Sequence, residues 1–112
     1  MIPPTDGISN WMQMFRWIVK LIRDEYGVSE AQLVRGAALE TDCGLQIEDV
    51  EAVLRTISTS FGVRFPAGAL DEVMKLDELC MLASWLKGLY KQPDFIAAGY
   101  AAQCRTLNAA CG

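Results

Sequence analysis

The chain contains no histidine. That removes every Ser-His or Cys-His nucleophile pair and every mixed Cys/His zinc site. Its four cysteines, Cys43, Cys80, Cys104 and Cys111, form no C-x-x-C pair, so they read as reduced thiols, some of them buried as small hydrophobes. Conventional hydrolase chemistry is left without its usual histidine base and is nearly excluded, and the expectation is a protein that is not an enzyme, with no catalytic residues and no metal. Positive charge is scarce as well. Ten Lys and Arg against fourteen Asp and Glu give a net charge of -4, which argues against nucleic acid, whose phosphates require a concentrated basic face. No apolar run approaches the roughly 18–20 residues that span a bilayer. The opening Met1-Ile2-Pro3-Pro4-Thr5-Asp6-Gly7 carries neither a basic region nor a cleavable apolar stretch, so the expected location is cytoplasmic.

Apolar residues are plentiful, at 52% of 112 residues, enough for one real core. Trp11, Met14, Phe15, Ile18, Val19 and Ile22 recur at three- and four-residue steps and predict a helix. Ser9 or Asn10 would cap it, and Gly27 would close it after Tyr26. Arg16, Lys20 and Arg23 fall on its solvent side. Trp11 and Phe15 share the core stripe, while Trp17 falls at its edge, where exposure is open. Ser29 with Gln32 has the form of a capping box for one short turn through about Arg35. Residues 36–44 then read as a long loop anchored by Leu39.

Ile47, Val50, Val53, Leu54, Ile57 and Phe61 define a second helix that begins near Gln46 and stops at Gly62. Glu48, Asp49 and Glu51 crowd its first turns, where the helix dipole favours negative charge. Val63-Arg64-Phe65-Pro66 reads as an extended linker, because Pro66 drives Phe65 out of helical geometry. Leu70 to Lys75 reads as another short turn. Leu76, Leu79, Leu82, Ala83, Leu86 and Leu89 or Tyr90 predict a third long helix ending before Pro93. Asp94 is the candidate cap of an alanine-rich segment from Phe95 to about Ala109, with Phe95, Ile96, Tyr100, Cys104 and Leu107 on one face. That face needs cover, either from the bundle or from a second copy of the chain, so a homodimer through the C-terminal helix stays open. Asp71, Glu72, Asp77 and Glu78 lack the glycine spacing of a calcium loop and read as helix-starting residues. No strand-like alternation is present, and the fold class is all-α.

Four stretches of the sequence, in order, carry a resemblance. Tyr26-Gly27-Val28-Ser29-Glu30-Ala31-Gln32-Leu33 looks like the end of the first helix of an acyl carrier protein. Leu39-Glu40-Thr41-Asp42-Cys43-Gly44-Leu45 is similar to that family's approach to its attachment site. Ile47-Glu48-Asp49-Val50-Glu51 resembles the opening of its second helix, and Ser60-Phe61-Gly62-Val63-Arg64-Phe65-Pro66 resembles the end of that helix. The resemblance covers about residues 10–91 and implies a carrier-like four-helix bundle. Residues 1–9 would be a leader and 92–112 an additional C-terminal helix.

The family's carriers place Asp-Ser-Leu at the start of the second helix, where the serine takes a phosphopantetheine arm. Here Gly44 runs through Leu45 and Gln46 straight to Ile47, with no hydroxyl at the matching place. The resemblance therefore implies a module without the usual cofactor that works by binding. Its partner would be a protein with a basic patch, such as an acyl-transfer or synthase enzyme, and Gln46, Glu48, Asp49, Glu51 and Arg55 would be the contact residues. Two other readings stand beside it. One is a genuine carrier in which Thr41 or Cys43 replaces the serine and takes phosphopantetheine. The other is an unrelated small helical adaptor or oligomerisation domain. For Cys43, burial in place of an apolar residue is favoured over reactivity.

Overall fold

The computed structural model describes residues 2–111, and all regular structure among them is helical apart from one isolated bridge. Five α-helices follow one another: α1 (Trp11–Tyr26), α2 (Ile47–Phe61), α3 (Ala69–Glu72), α4 (Leu76–Lys87) and α5 (Ala98–Leu107), with a 3-10 turn at Glu30–Gln32 after α1. The all-α expectation holds, and the chain is a small helical bundle.

Helix α1 begins where Asn10 Oδ1 accepts the amide of Gln13 at 2.9 Å. It buries Met14, Trp17, Ile18, Leu21 and Ile22 and packs on α4 and α2. Its polar face looks outward. Helix α2 buries Val50, Val53, Ile57 and Phe61 and ends at Gly62, whose φ of 68° suits a residue without a Cβ. Lys87, in the last turn of α4, donates to the Phe61 carbonyl at 3.2 Å, supplying a cation at the negative end of α2. Helix α4 is buried on almost every side, with Leu76, Leu79, Leu82, Trp85 and Leu86 fully enclosed, and forms the centre of the bundle.

The loop before α2 is pinned rather than loose. Leu39 donates its amide to Met74 at 3.0 Å, and the Leu76 amide returns to Ala37 at 2.9 Å. These bonds form the bridge between Ala38 and Lys75. Leu39 itself is buried, so the loop is fastened by both backbone and side chain.

Several expectations need correction. Trp17 is buried, only 3% exposed, because the N-terminal segment folds back on it. Its indole N–H donates to the Pro3 carbonyl at 3.0 Å, and its ring meets the edge of Phe61 at 4.8 Å. Trp11 and Phe15 are only half-buried. The Trp11 ring lies 4.9 Å under the Arg35 guanidinium and 6.1 Å from Tyr90. Helix α4 stops at Gly88, so Leu89 and Tyr90 lie beyond it. A Cβ at Gly88 would come within 3.1 Å of the Ala110 carbonyl oxygen, so this position also lets the C-terminal residues pack close. The 3-10 turn ends at Gln32 rather than running on to Arg35, and α3 starts at Ala69, one residue before the expected Leu70, and stops at Glu72 rather than Lys75.

Helix α5 is shorter than the Phe95–Ala109 expectation, and Asp94 does not cap it. Glu72 of α3 accepts the Ala97 amide at 2.6 Å instead, so the entry to α5 is fixed from a distant part of the chain. Tyr100, Ala101 and Cys104 are buried within the chain. The Tyr100 hydroxyl donates to the Pro66 carbonyl at 3.1 Å. Asn108 clasps the Arg64 backbone in both directions, each bond 2.8 Å. The chain itself thus covers most of the face whose exposure would have called for a second copy.

Candidate functional site

The residues singled out around the start of α2 divide into two groups. Gln46 is the N-cap residue, and its amide is accepted by Asp49 Oδ2 at 3.0 Å. Asp49 is half-buried, and it adds negative charge beside the Tyr26 phenol, whose pKa is pushed upward chiefly by its own burial. These two residues build the helix start. Glu48, Glu51 and Arg55 are exposed instead. Their spacing of three and four residues sets them along one outer strip of α2. None has an ion-pair partner within 4 Å among the described residues. Ile47, 53% exposed, stands at the head of the strip.

Beside this strip runs a groove of about 460 Å³ between α2 and the segment leading into α3. Leu54, Phe65, Pro66 and Leu70 supply its apolar lining, with Glu51, Arg55 and Asp71 as charged neighbours. Its wall is held by α5, through the Tyr100 bond to Pro66 and the Asn108 clasp on Arg64. Ser58 adds a third tie by donating its hydroxyl to the Val63 carbonyl. A second hollow of about 280 Å³ continues past Leu70 and Asp71 toward Thr41 and the exposed Met74. Mixed apolar lining with a few charged side chains at the edge is the general pattern of a binding surface. The sequence signal for this groove was weak. Phe65 and Pro66 read only as a linker, and the fastening by α5 acts across more than thirty positions of the chain.

Two of the acids around α3 and α4 do structural work. Glu78 accepts the amides of Met74 and Lys75 at 2.9 and 3.0 Å, closing the start of α4, while Glu72 holds Ala97. No cluster of three or more metal-ligating side chains occurs among the described residues.

Thr41 and Cys43 lie in the pinned loop. Cys43 is buried, its Sγ 3.8 Å from the Gln32 carbonyl, and burial together with Asp42 pushes its thiol pKa upward. Leu45 is buried too, Gln46 caps α2, and Ile47 is exposed without a hydroxyl. The residues present at the start of α2 therefore do not fit a phosphopantetheine arm. Thr41 is exposed but sits upstream, on the loop rather than at the helix start.

No helix is long and apolar enough to cross a membrane among the described residues. Comparisons of the chain with protein-family models, with curated proteins and with solved structures each return no match.

Proposed function

We infer that the chain is a carrier-like binding module that performs no catalysis and docks a protein bearing a basic patch through the outer strip of α2. The single observation behind this reading is the exposed pair Glu48 and Glu51, free of ion-pair partners among the described residues and set beside the groove lined by Leu54, Phe65 and Leu70. Two unneutralised carboxylates on a rigid helix steer a cationic surface toward themselves. An adjacent apolar groove gives that surface something to bury once it arrives, which supplies most of the affinity. Arg55, farther along the strip, selects against partners whose positive charge extends beyond the first turns of α2.

The order of elements supports the carrier resemblance. A long helix, a long loop, a helix with an acidic start, a short helix after Pro66 and another helix follow one another over the residues the resemblance covers. On that resemblance the partner is an acyl-transfer or synthase enzyme and the location is cytoplasmic. The genuine-carrier reading rests on one observation, the exposure of Thr41 beside the smaller hollow.

The docking reading is tested by titrating the labelled chain with a basic amphipathic helical peptide. The wild type should bind, and Glu48→Lys/Glu51→Lys should weaken binding about tenfold, which equals about 1.4 kcal/mol. Circular dichroism should be unchanged. Equal affinity for the two proteins would overturn the reading. Incubation with a phosphopantetheinyl transferase and coenzyme A should leave the intact mass unchanged, and a gain of one arm would establish the carrier reading instead.

A further inference from the structure

The outer face of α1 carries the opposite charge. Arg16 and Lys20 are exposed one helical turn apart, directed away from the buried stripe of Met14, Ile18 and Leu21. Neither has a carboxylate within 4 Å among the described residues, whereas Arg23 is held by Asp24 at 2.9 Å and Glu30 at 2.5 Å. These two cations, Arg16 reaching Met12 Sδ at 3.9 Å and Lys20 acting on Asp24 at longer range, stand on a ridge between two hollows of mixed lining. One, of about 400 Å³, has Phe15, Val19 and Leu33 as its apolar part, with the Arg23–Glu30 pair at its edge. The other, of about 290 Å³, has Pro3, Ile8 and Trp17, with Asp6 and Gln13 at its edge, and Arg16 and Lys20 border both.

We propose that this ridge is the docking site for α2 of a second copy of the chain. The proposal rests on the reading that the α2 strip docks a basic surface, and it names that surface. Charge complementarity identifies the occupant. A pair of cations spaced by four residues faces a pair of free carboxylates spaced by three, so the pairs span similar lengths, about 6 and 4.5 Å along their helices. Ile47, exposed beside Glu48, is the apolar side chain placed to enter a hollow flanking Arg16 and Lys20. The docking strip and the ridge lie on different helices, so the contact joins unlike surfaces. Two copies that pair reciprocally close as a symmetric dimer, and copies that pair once leave a free strip and a free ridge for further association; in both cases average mass rises with concentration.

Sedimentation of the full chain at rising concentration tests this, together with two charge-reversed variants. The wild type should gain average mass as concentration rises into the millimolar range. Arg16→Glu/Lys20→Glu destroys the ridge and keeps the strip, while Glu48→Lys/Glu51→Lys destroys the strip and keeps the ridge. Each variant alone should stay monomeric with an unchanged helical spectrum. Mixed in equal amounts, they should gain average mass again, because the intact strip of one meets the intact ridge of the other and the reversed ridge faces the reversed strip with the charges exchanged. A wild type that stays monomeric throughout would overturn the proposal, as would a mixture no heavier than its components. A monomeric wild type that still binds the basic peptide through α2 would remove the second copy as partner and leave the docking reading standing. A monomeric wild type that instead binds an acidic helical peptide on α1 would assign the ridge to another protein and equally overturn the proposal.

Discussion

Helices α1 and α2 are built alike, with 16 and 15 residues, an aliphatic stripe facing the core and a left-handed glycine at the end. They differ in what they show to solvent. Arg16 and Lys20 stand outward on α1, and Glu48 and Glu51 stand outward on α2. Part of the difference has a local cause. The positive end of a helix favours the acids in the first turn of α2, and Asp49 closes that helix start, whereas α1 has no acid in its first turn and is capped by Asn10. Glu51 lies beyond the first turn and makes no cap, so the local cause does not reach it. The comparison separates what holds the helices from what they display: stability resides in stripes that resemble each other, and the recognition we propose would reside in strips that do not.

Cutting the stripes should produce the largest effects, and equal ones. Ile18 on α1 and Ile57 on α2 are both fully enclosed, so Ile18→Ala and Ile57→Ala should each cost about 2–5 kcal/mol in urea unfolding. A large gap between them would break the likeness. Next come the helix starts. Asn10→Ala and Asp49→Ala should each cost about 1 kcal/mol in the same experiment, although the two side chains satisfy the backbone in different ways.

Alkaline pH should distinguish the two helices. Cys80 of α4 is directed at the Trp11 carbonyl, 3.3 Å away, and burial pushes its thiol pKa up to about 12 from 9.0. A thiol with a raised pKa in the folded state lends stability that is complete below pH 9. That stability is lost as pH rises from 9 through about 12, because the unfolded chain ionises first. Because the thiolate would face the Trp11 carbonyl, amide protection at the start of α1, taken relative to the hydroxide-catalysed intrinsic rate, should fall across this window more than at the start of α2, and Cys80→Ala should abolish the difference. The smallest stability effects belong to the outer strips. Reversing Arg16 and Lys20, or Glu48 and Glu51, should each shift unfolding by about 0.5 kcal/mol or less per residue.

Much of this architecture was legible in the sequence because its causes are local. Asn10 and Gly27 bracket α1, and Gly62 closes α2, each through bonds that span a few residues. What could not be read depends on distant partners. Trp17 looks like an edge residue until Pro3 returns to accept its indole N–H. Ala97 begins α5 because Glu72, on another helix, takes its amide, and no neighbouring residue announces that cap. For the candidate site, residue numbers were legible and roles only partly so. Gln46 and Asp49 sit among the acids in sequence, but their hydrogen bonding assigns them to the helix start. The groove owes its wall to Tyr100 and Asn108, which only the folded chain brings to Pro66 and Arg64.

The most direct test of the central claim compares the basic-peptide titration of the wild type with that of Glu48→Lys/Glu51→Lys at low ionic strength, where exposed charges are least screened. The account predicts saturable binding by the wild type, about tenfold weaker binding by the variant and helical spectra that superimpose. Identical isotherms for two equally folded proteins would contradict it, and the acids of α2 would then be no more than the charge that suits a helix start.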